Sequence, residues 1–241
     1  MESHRPLQAI TLDLDDTLWP VKPALIHAEQ VLSDWLAEHA PATAAGWFPP
    51  GNRRGVREAL LAEHPQRAHD VSFVRSELLR RSLRAAGEDP ALAEPAFEVF
   101  LAARQRVTLY ADVVPVLQRW SQRYRLVAVS NGNADVERIG IGRFFSASVS
   151  AHALGVAKPD PRIYLEACRL ADAAPAEVLH VGDDLHLDVR AAREAGLQAA
   201  WLRRPEFAHR QPDGAEAVDE APFGDLAALD AFLHARERGV R

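Results

Sequence analysis

Three short apolar runs, each stopped abruptly by polar residues, constrain the fold of this chain more than any other feature. Residues 8–14, Gln-Ala-Ile-Thr-Leu-Asp-Leu, stop at Asp15-Asp16-Thr17. Arg125–Val129 stops at Ser130-Asn131-Gly132, and Val178–Val181 at Gly182-Asp183-Asp184. Buried strands that end at polar loops read this way. Gln198–Leu202 makes a fourth candidate strand. Between the runs the apolar spacing becomes helical, over 111–122, 160–171 and 185–195, the last closed by Gly196. Strands alternating with helices predict a parallel sheet covered on both faces.

Residues 19–107 break this rhythm, with no convincing strand among them. Leu25, Ala28, Leu32 and Trp35 recur three or four apart, as do Val71, Val74 and Leu78, and Leu92, Ala96, Val99 and Ala103. A fourth helix is expected around Val56 and Leu60, entered from a turn at Pro49-Pro50-Gly51. This insert carries as many basic as acidic residues, so the formal charge of −6 belongs to the α/β part. Arg203–Gly224 reads as a polar loop before a final helix starting near Asp225.

That mild acidity argues against a nucleic-acid partner, which needs clustered Lys and Arg to neutralise phosphates. No run approaches the roughly 18 apolar residues of a membrane span. The single cysteine, Cys168, cannot form an internal disulfide, and Met1–Pro6 lacks the apolar core of a signal peptide, so a cytoplasmic location is expected. Composition leaves monomer and homodimer equally open.

In open α/β sheets ligands bind beyond the carboxyl ends of the strands. The polar clusters fall there or in a neighbouring loop: Asp13 to Thr17, Ser130-Asn131-Gly132, Lys158-Pro159, and Gly182 to Asp188. Gathering Asp13, Asp15 and Asp183 creates like-charge repulsion that a cation must relieve. Oxygen donors without a Cys or His pattern favour a hard ion, and Mg²⁺ suits a site that also meets phosphate. With a small-molecule phosphoester there, Asp13 is the expected nucleophile and Asp15 the acid and base. Ser130, Asn131 and Gly132 are expected to hold phosphoryl oxygens through side chains and backbone N–H groups, and Lys158 to offset charge on them and on Asp13. Asp183 is read as a metal ligand, and Asp188 as a group orienting water or Lys158.

This ordered set resembles the haloacid dehalogenase superfamily over nearly the whole chain. Asp13, Asp15 and Thr17, Ser130, Lys158, and Gly182-Asp183 to Asp188 match its motif pattern. The resemblance implies an α/β fold, with a Rossmann-like core formed by 1–18 and 108–241. It also implies an all-helical cap of the four-helix bundle type inserted at 19–107. It further implies Mg²⁺-dependent phosphatase activity through an aspartyl-phosphate, Thr17 with Ser130 and Lys158 at the phosphate. The metal is then held by the carboxylates of Asp13 and Asp183 and the backbone carbonyl of Asp15. Leu12–Leu18, His69-Asp70-Val71, Ser130–Ala134 and Val178–Leu185 are similar to the bacterial YigB branch. That branch is associated with dephosphorylating flavin mononucleotide and 5-amino-6-(5-phosphoribitylamino)uracil. Haloacid dehalogenation and a non-catalytic binding protein on the same fold are the alternatives.

Several residues read more simply. Asp16 and Asp184 are expected to cap helices or face solvent, His180 to be a hydrogen-bonded core residue, and Cys168 a small core side chain. His186 is left without a role. Trp19 is read either as hinge packing or as a stacking surface for a planar ring. Arg75, Arg80, Arg81 and Arg84 form a mostly solvated basic helix face, with Arg75 the one best placed to reach substrate. Hinges are expected near Trp19-Pro20 and Val107-Thr108.

Overall fold

The computed structural model describes residues 6–47, 53–207 and 221–239. The turn expected at Pro49-Pro50-Gly51, most of the Arg203–Gly224 loop and nearly all of Met1–Pro6 lie outside them. Strand β1 (Ala9–Leu12) leads into five helices: α1 (Val21–His39), α2 (Pro41–Trp47), α3 (Arg54–Glu63), α4 (Val71–Ala85) and α5 (Ala93–Arg104). Then follow α6 (Val113–Trp120), β2 (Arg125–Ser130), α7 (Val136–Ile139), β3 (Ala147–Ser150) and α8 (Ala151–Leu154). Next come α9 (Pro161–Ala171), β4 (Val178–Gly182), a π-helix (Leu185–Arg190), α10 (Ala191–Glu194), β5 (Gln198–Trp201) and α11 (Leu226–Glu237).

The five strands form one parallel sheet in the order β3-β2-β1-β4-β5. The chain works outward from β1 to one edge and then crosses to the other side, so β1 and β4 flank the point where strand order reverses. This Rossmann-like arrangement opens its ligand crevice at that reversal. Because side chains alternate along a strand, each strand serves two cores. Ile10, Leu12, Leu126, Ala128 and Val181 pack with Val116, Leu117, Trp120, Leu229 and Leu233 on one face. Ala9, Val127, Val129 and Val178 pack with Ile163, Tyr164, Ala167, Cys168 and Val189 on the other. Cys168 is thus a buried core side chain.

The helices between β1 and β2 have a core of their own. Ala28, Leu32 and Leu36 of α1 meet Leu78, Leu79 and Leu83 of α4 and Phe97, Phe100 and Ala103 of α5. The stripes read from the sequence are buried at Ala28, Leu32, Val74, Leu78, Ala96 and Ala103, while Leu25 and Val71 at their ends are exposed. The short α2 and the edge strand β3 were not expected. No helix among the described residues is long and apolar enough to cross a membrane.

Candidate active site

The loop after β1 turns by means of one strained residue. Asp16 adopts the left-handed conformation (φ 59°), which Asp tolerates better than most residues. Its N–H donates to Trp19 O at 2.8 Å, and its Oδ1 accepts from Val21 N at 2.8 Å, so it caps α1. Asp13, immediately past β1, donates its N–H to Val181 O of β4 at 2.9 Å, which fixes its backbone between two strands.

Lys158 comes from the loop ahead of α9. Its backbone is held by one side chain: Asn131 Oδ1 accepts from Lys158 N at 2.7 Å and Asn131 Nδ2 donates to Lys158 O at 3.0 Å. Both ends of the Asn131 amide are therefore engaged, and what it offers an anion is its backbone N–H. Lys158 Nζ, almost fully buried, donates to Asp13 Oδ1 at 2.5 Å and to Asp188 Oδ1 at 2.7 Å. Asp188 also meets His180 Nε2 at 3.1 Å and accepts from Asp184 N at 3.0 Å. His180 in turn contacts Thr11 at 2.8 Å, so it is a core residue that supports Asp188.

Asp188 lies on the π-helix, whose first turn is capped by Asp184 Oδ1 accepting from His186 N and Leu187 N. Its carboxylate occupies the space that any side chain at Gly182 would need: a Cβ there would lie 2.2 Å from Asp188 Cγ. Carboxylate oxygens of Asp13, Asp183 and Asp188 all lie within 4.8 Å of one another. Thr17 Oγ1, fully buried, donates to Asp183 Oδ1 at 3.4 Å. Ser130 Oγ accepts from Gly132 N at 2.9 Å.

Burial dominates the electrostatics, and like charge adds to it. Burial, reinforced by Asp188 and only partly relieved by Lys158, pushes the Asp13 carboxyl up to about 7. Burial together with Asp13 and Asp188 pushes Asp183 up to about 9. Burial also opposes ionisation of Asp188, yet Lys158 and His180 outweigh it and hold that carboxyl well below the usual range. The Lys158 ammonium is raised despite its burial, because two carboxylates face it.

Asp15 stands apart from this cluster. Its Oδ1 accepts from Trp19 Nε1 at 2.8 Å and its Oδ2 from Arg104 NH2 at 2.5 Å. The three carboxylates that converge are those of Asp13, Asp183 and Asp188, while the Asp15 carboxylate points toward the inserted helices. Trp19 is fully buried in the core under the sheet, so it packs the junction between β1 and α1 and presents no ring to a ligand.

Sequence reasoning missed Arg104, the last residue of α5, which also donates through Nε to Asn133 Oδ1 at 3.0 Å. It also missed Gln105, whose amide donates to Asn133 O and accepts from Asp135 N. Arg104 lies in a helical pattern with nothing to separate it from other basic residues. Arg204 was missed as well: buried, it donates to Thr17 O at 3.1 and 2.7 Å and, from one guanidinium nitrogen, to both oxygens of Asp112 at 2.9 and 2.8 Å. A cavity of about 690 Å³ opens over Asp15, Arg104, Gly132 and Asn133 and extends along Arg75 and Phe100. Arg75 is committed within it, paired to Glu29 at 2.7 Å with its guanidinium 3.7 Å above the Phe100 ring. Arg80 and Arg81 are paired with Glu77 and Glu63.

Comparison with known proteins agrees with this geometry. The model of the haloacid dehalogenase-like hydrolase family matches residues 7–196. The chain is 32% identical over 240 residues to the 5-amino-6-(5-phospho-D-ribitylamino)uracil phosphatase YigB of Escherichia coli, covering 97% of this chain and 100% of that protein. It is 33% identical over 158 residues to a phosphoserine phosphatase of Thermus thermophilus, covering 63% of this chain and 62% of the relative. A crystal structure described as a 2-haloacid dehalogenase from Pseudomonas syringae superposes with a TM-score of 0.87 at 36% identity, covering 96% of this chain and 99% of that one. With its acidic and basic clusters gathered at one end of a parallel sheet and a family match across most of its length, the protein belongs to the haloacid dehalogenase-like hydrolases.

Proposed function

We propose that this hydrolase is a Mg²⁺-dependent phosphomonoesterase that works through an aspartyl-phosphate on Asp13. The observation that carries the reading is the buried Lys158 joined to Asp13 and Asp188 beside Asp183: three carboxylates balanced by one ammonium. Burial, with repulsion from the neighbouring carboxylates, pushes two of those carboxyls upward. A hard divalent cation suits an all-oxygen donor set of this kind. Asp188 already has hydrogen-bond partners on both of its oxygens, so Asp13 and Asp183 are the side chains with oxygens to give, joined by the Asp15 backbone carbonyl. Bound there, the ion would neutralise charge on the phosphate.

The residues divide the chemistry as follows. Lys158 holds the Asp13 carboxylate in place and offsets charge as its oxygen attacks phosphorus. The new bond is Asp13 O–P, and the bond that breaks is P–O to the leaving group, whose oxygen takes a proton from Asp15. Water then attacks the acyl phosphate, Asp15 takes its proton, and phosphate leaves with Asp13 restored. Ser130 and the backbone N–H of Asn131 hold phosphoryl oxygens, and the Gly132 N–H, which donates to Ser130 Oγ, sets that hydroxyl in place. Thr17, by its bond to Asp183, keeps that carboxylate oriented.

For substrate, 5-amino-6-(5-phosphoribitylamino)uracil stands first, supported by the Escherichia coli relative over its full length, with flavin mononucleotide beside it on the motif resemblance alone. Dehalogenation is the second reading, favoured by the Pseudomonas syringae structure. It leaves Asp15 and the second acidic ligand without work, because a halide departs without a proton and without a cation. A phosphoester panel with and without Mg²⁺, run beside chloride release from 2-chloropropionate in EDTA, separates the two. The expected result is Mg²⁺-dependent phosphate release that Asp13→Asn lowers by at least about 10³-fold. Equal rates for Asp13→Asn and wild type refute the assigned nucleophile.

A further inference from the structure

Arg104 is 1% exposed, and two of its three guanidinium nitrogens are accounted for, NH2 by Asp15 and Nε by Asn133. The third, NH1, is buried with no partner among the described residues. A guanidinium stays charged and keeps all five of its N–H groups, so a buried nitrogen with no acceptor is a standing penalty. A residue that only tied the cap to the core would have no reason to keep it. Arg104 also lines the cavity of about 690 Å³, whose floor is Asp15, Gly132 and Asn133.

We propose that Arg104 NH1 is a substrate-recognition donor, and that the cavity takes a leaving group with an oxygen acceptor on the carbon next to the ester carbon. The inference rests on the phosphomonoesterase reading, because that reading puts the ester oxygen against Asp15. Asp15 Oδ2 is held by NH2, and NH1 shares the same rigid fork. The substituent beside the ester oxygen is therefore the one that NH1 meets. Three of the other guanidiniums lining the cavity are engaged with carboxylates: Arg75 and Arg53 are both paired with Glu29, and Arg54 lies 3.8 Å from Glu58. Beyond this point the wall is mixed: Leu25, Val71 and Phe100 give it an apolar stretch beside Arg53, Arg54, Arg57 and Glu58, and Leu25 and Val71 are exposed large hydrophobic side chains. An ammonium placed where the acceptor belongs is repelled.

Three substrates of nearly equal size test this: 2-phosphoglycolate, which carries the acceptor; ethyl phosphate, which lacks it; and phosphoethanolamine, which puts an ammonium there. Their kcat/KM is measured on the full chain with Mg²⁺, in wild type, Arg104→Met and Arg104→Lys, with p-nitrophenyl phosphate as reference. Wild type is expected to prefer phosphoglycolate to ethyl phosphate by about 10- to 100-fold, the range of a charge-assisted hydrogen bond, and to disfavour phosphoethanolamine. Arg104→Met is expected to bring the first ratio close to one. Any loss of Asp15 alignment lowers all substrates together and cancels from the ratio. A ratio in Arg104→Met within twofold of wild type overturns the proposal, as does a wild type without the preference that still hydrolyses p-nitrophenyl phosphate. If no phosphoester at all is hydrolysed, the phosphatase reading falls and this inference with it. Should Arg104→Met fail to fold, calorimetric binding of 2-carboxyethylphosphonate and propylphosphonate to wild type decides. Tighter binding of the carboxylate supports the proposal, and equal affinities overturn it.

Discussion

Replacing Gly182 by Ala adds one methyl group at the most crowded point of the site. The backbone at Gly182 is outside the left-handed region, so the effect is steric alone. The new Cβ would stand 2.2 Å from Asp188 Cγ, 2.3 Å from Oδ2 and 2.6 Å from Asp188 Cβ. Ordinary contact between carbon atoms is about 3.5–4.0 Å, so Asp188 must retreat by more than an ångström. It is buried and held by Lys158, His180 and the Asp184 N–H, so it has nowhere to go without breaking one of these. Overpacking costs about 1–3 kcal/mol, and a lost charge-assisted hydrogen bond adds about 1.5–3 kcal/mol. At about 2–4 °C per kcal/mol for a chain of this size, the melting temperature falls by on the order of 10 °C. Lys158 moves with Asp188, and a displacement of that size at a catalytic group lowers kcat by about 10²-fold. Differential scanning fluorimetry and Mg²⁺-dependent p-nitrophenyl phosphate hydrolysis read the two effects. Gly140→Ala is the control: it strains a left-handed position (φ 90°) with nothing within 4 Å and should leave kcat unchanged. A Gly182→Ala protein that melts within 2 °C of wild type and turns over within twofold would show that the close approach of Gly182 to Asp188 carries no load.

Two further outcomes follow from the same geometry. Asp13 and Asp183 have carboxyls raised to about 7 and about 9, so between about pH 4 and pH 9 the folded state binds more protons than the unfolded chain. In EDTA the protein should therefore lose thermal stability as pH rises through that window, and 10 mM Mg²⁺, on the scale of about millimolar affinities, should flatten the decline. Identical slopes with and without Mg²⁺ would count against a cation at this cluster. Arg204→Met removes a buried partner of Asp112 and two donors to Thr17 O. It should destabilise by about 3–5 kcal/mol, read as a shift in urea midpoint with unchanged slope, and a shift under about 1 kcal/mol would refute it.

What the sequence disclosed was set by burial. Strands β1, β2, β4 and β5 announce themselves because both faces are covered and their residues are apolar in sequence. Strand β3, Ala-Ser-Val-Ser, escaped because it buries only Val149, whereas β5 at the opposite edge buries three of its four residues. The segment after β4 was legible as a helix but not as a π-helix, since apolar spacing does not reveal a widened turn. That turn is what Asp188 occupies when it faces Lys158. The charged clusters were readable because each sits at the end of a run. Arg104 and Arg204 were not, because an arginine buried against distant carboxylates looks in sequence like one on a solvated face. Asn131 was legible as part of a turn, while the engagement of its amide with Lys158 depends on a segment 27 residues away.

The order of the strands also bears on how the chain comes to be folded. β1, the first of the five to be synthesised, sits in the middle of the sheet, and its neighbours begin only at Arg125 and Val178. The inserted helices, whose core is built from one another, are complete well before either neighbour exists. Assembly is thus expected to run helices first and the sheet afterwards, and until β4 is made, β1 has an open edge suited to pairing with another chain.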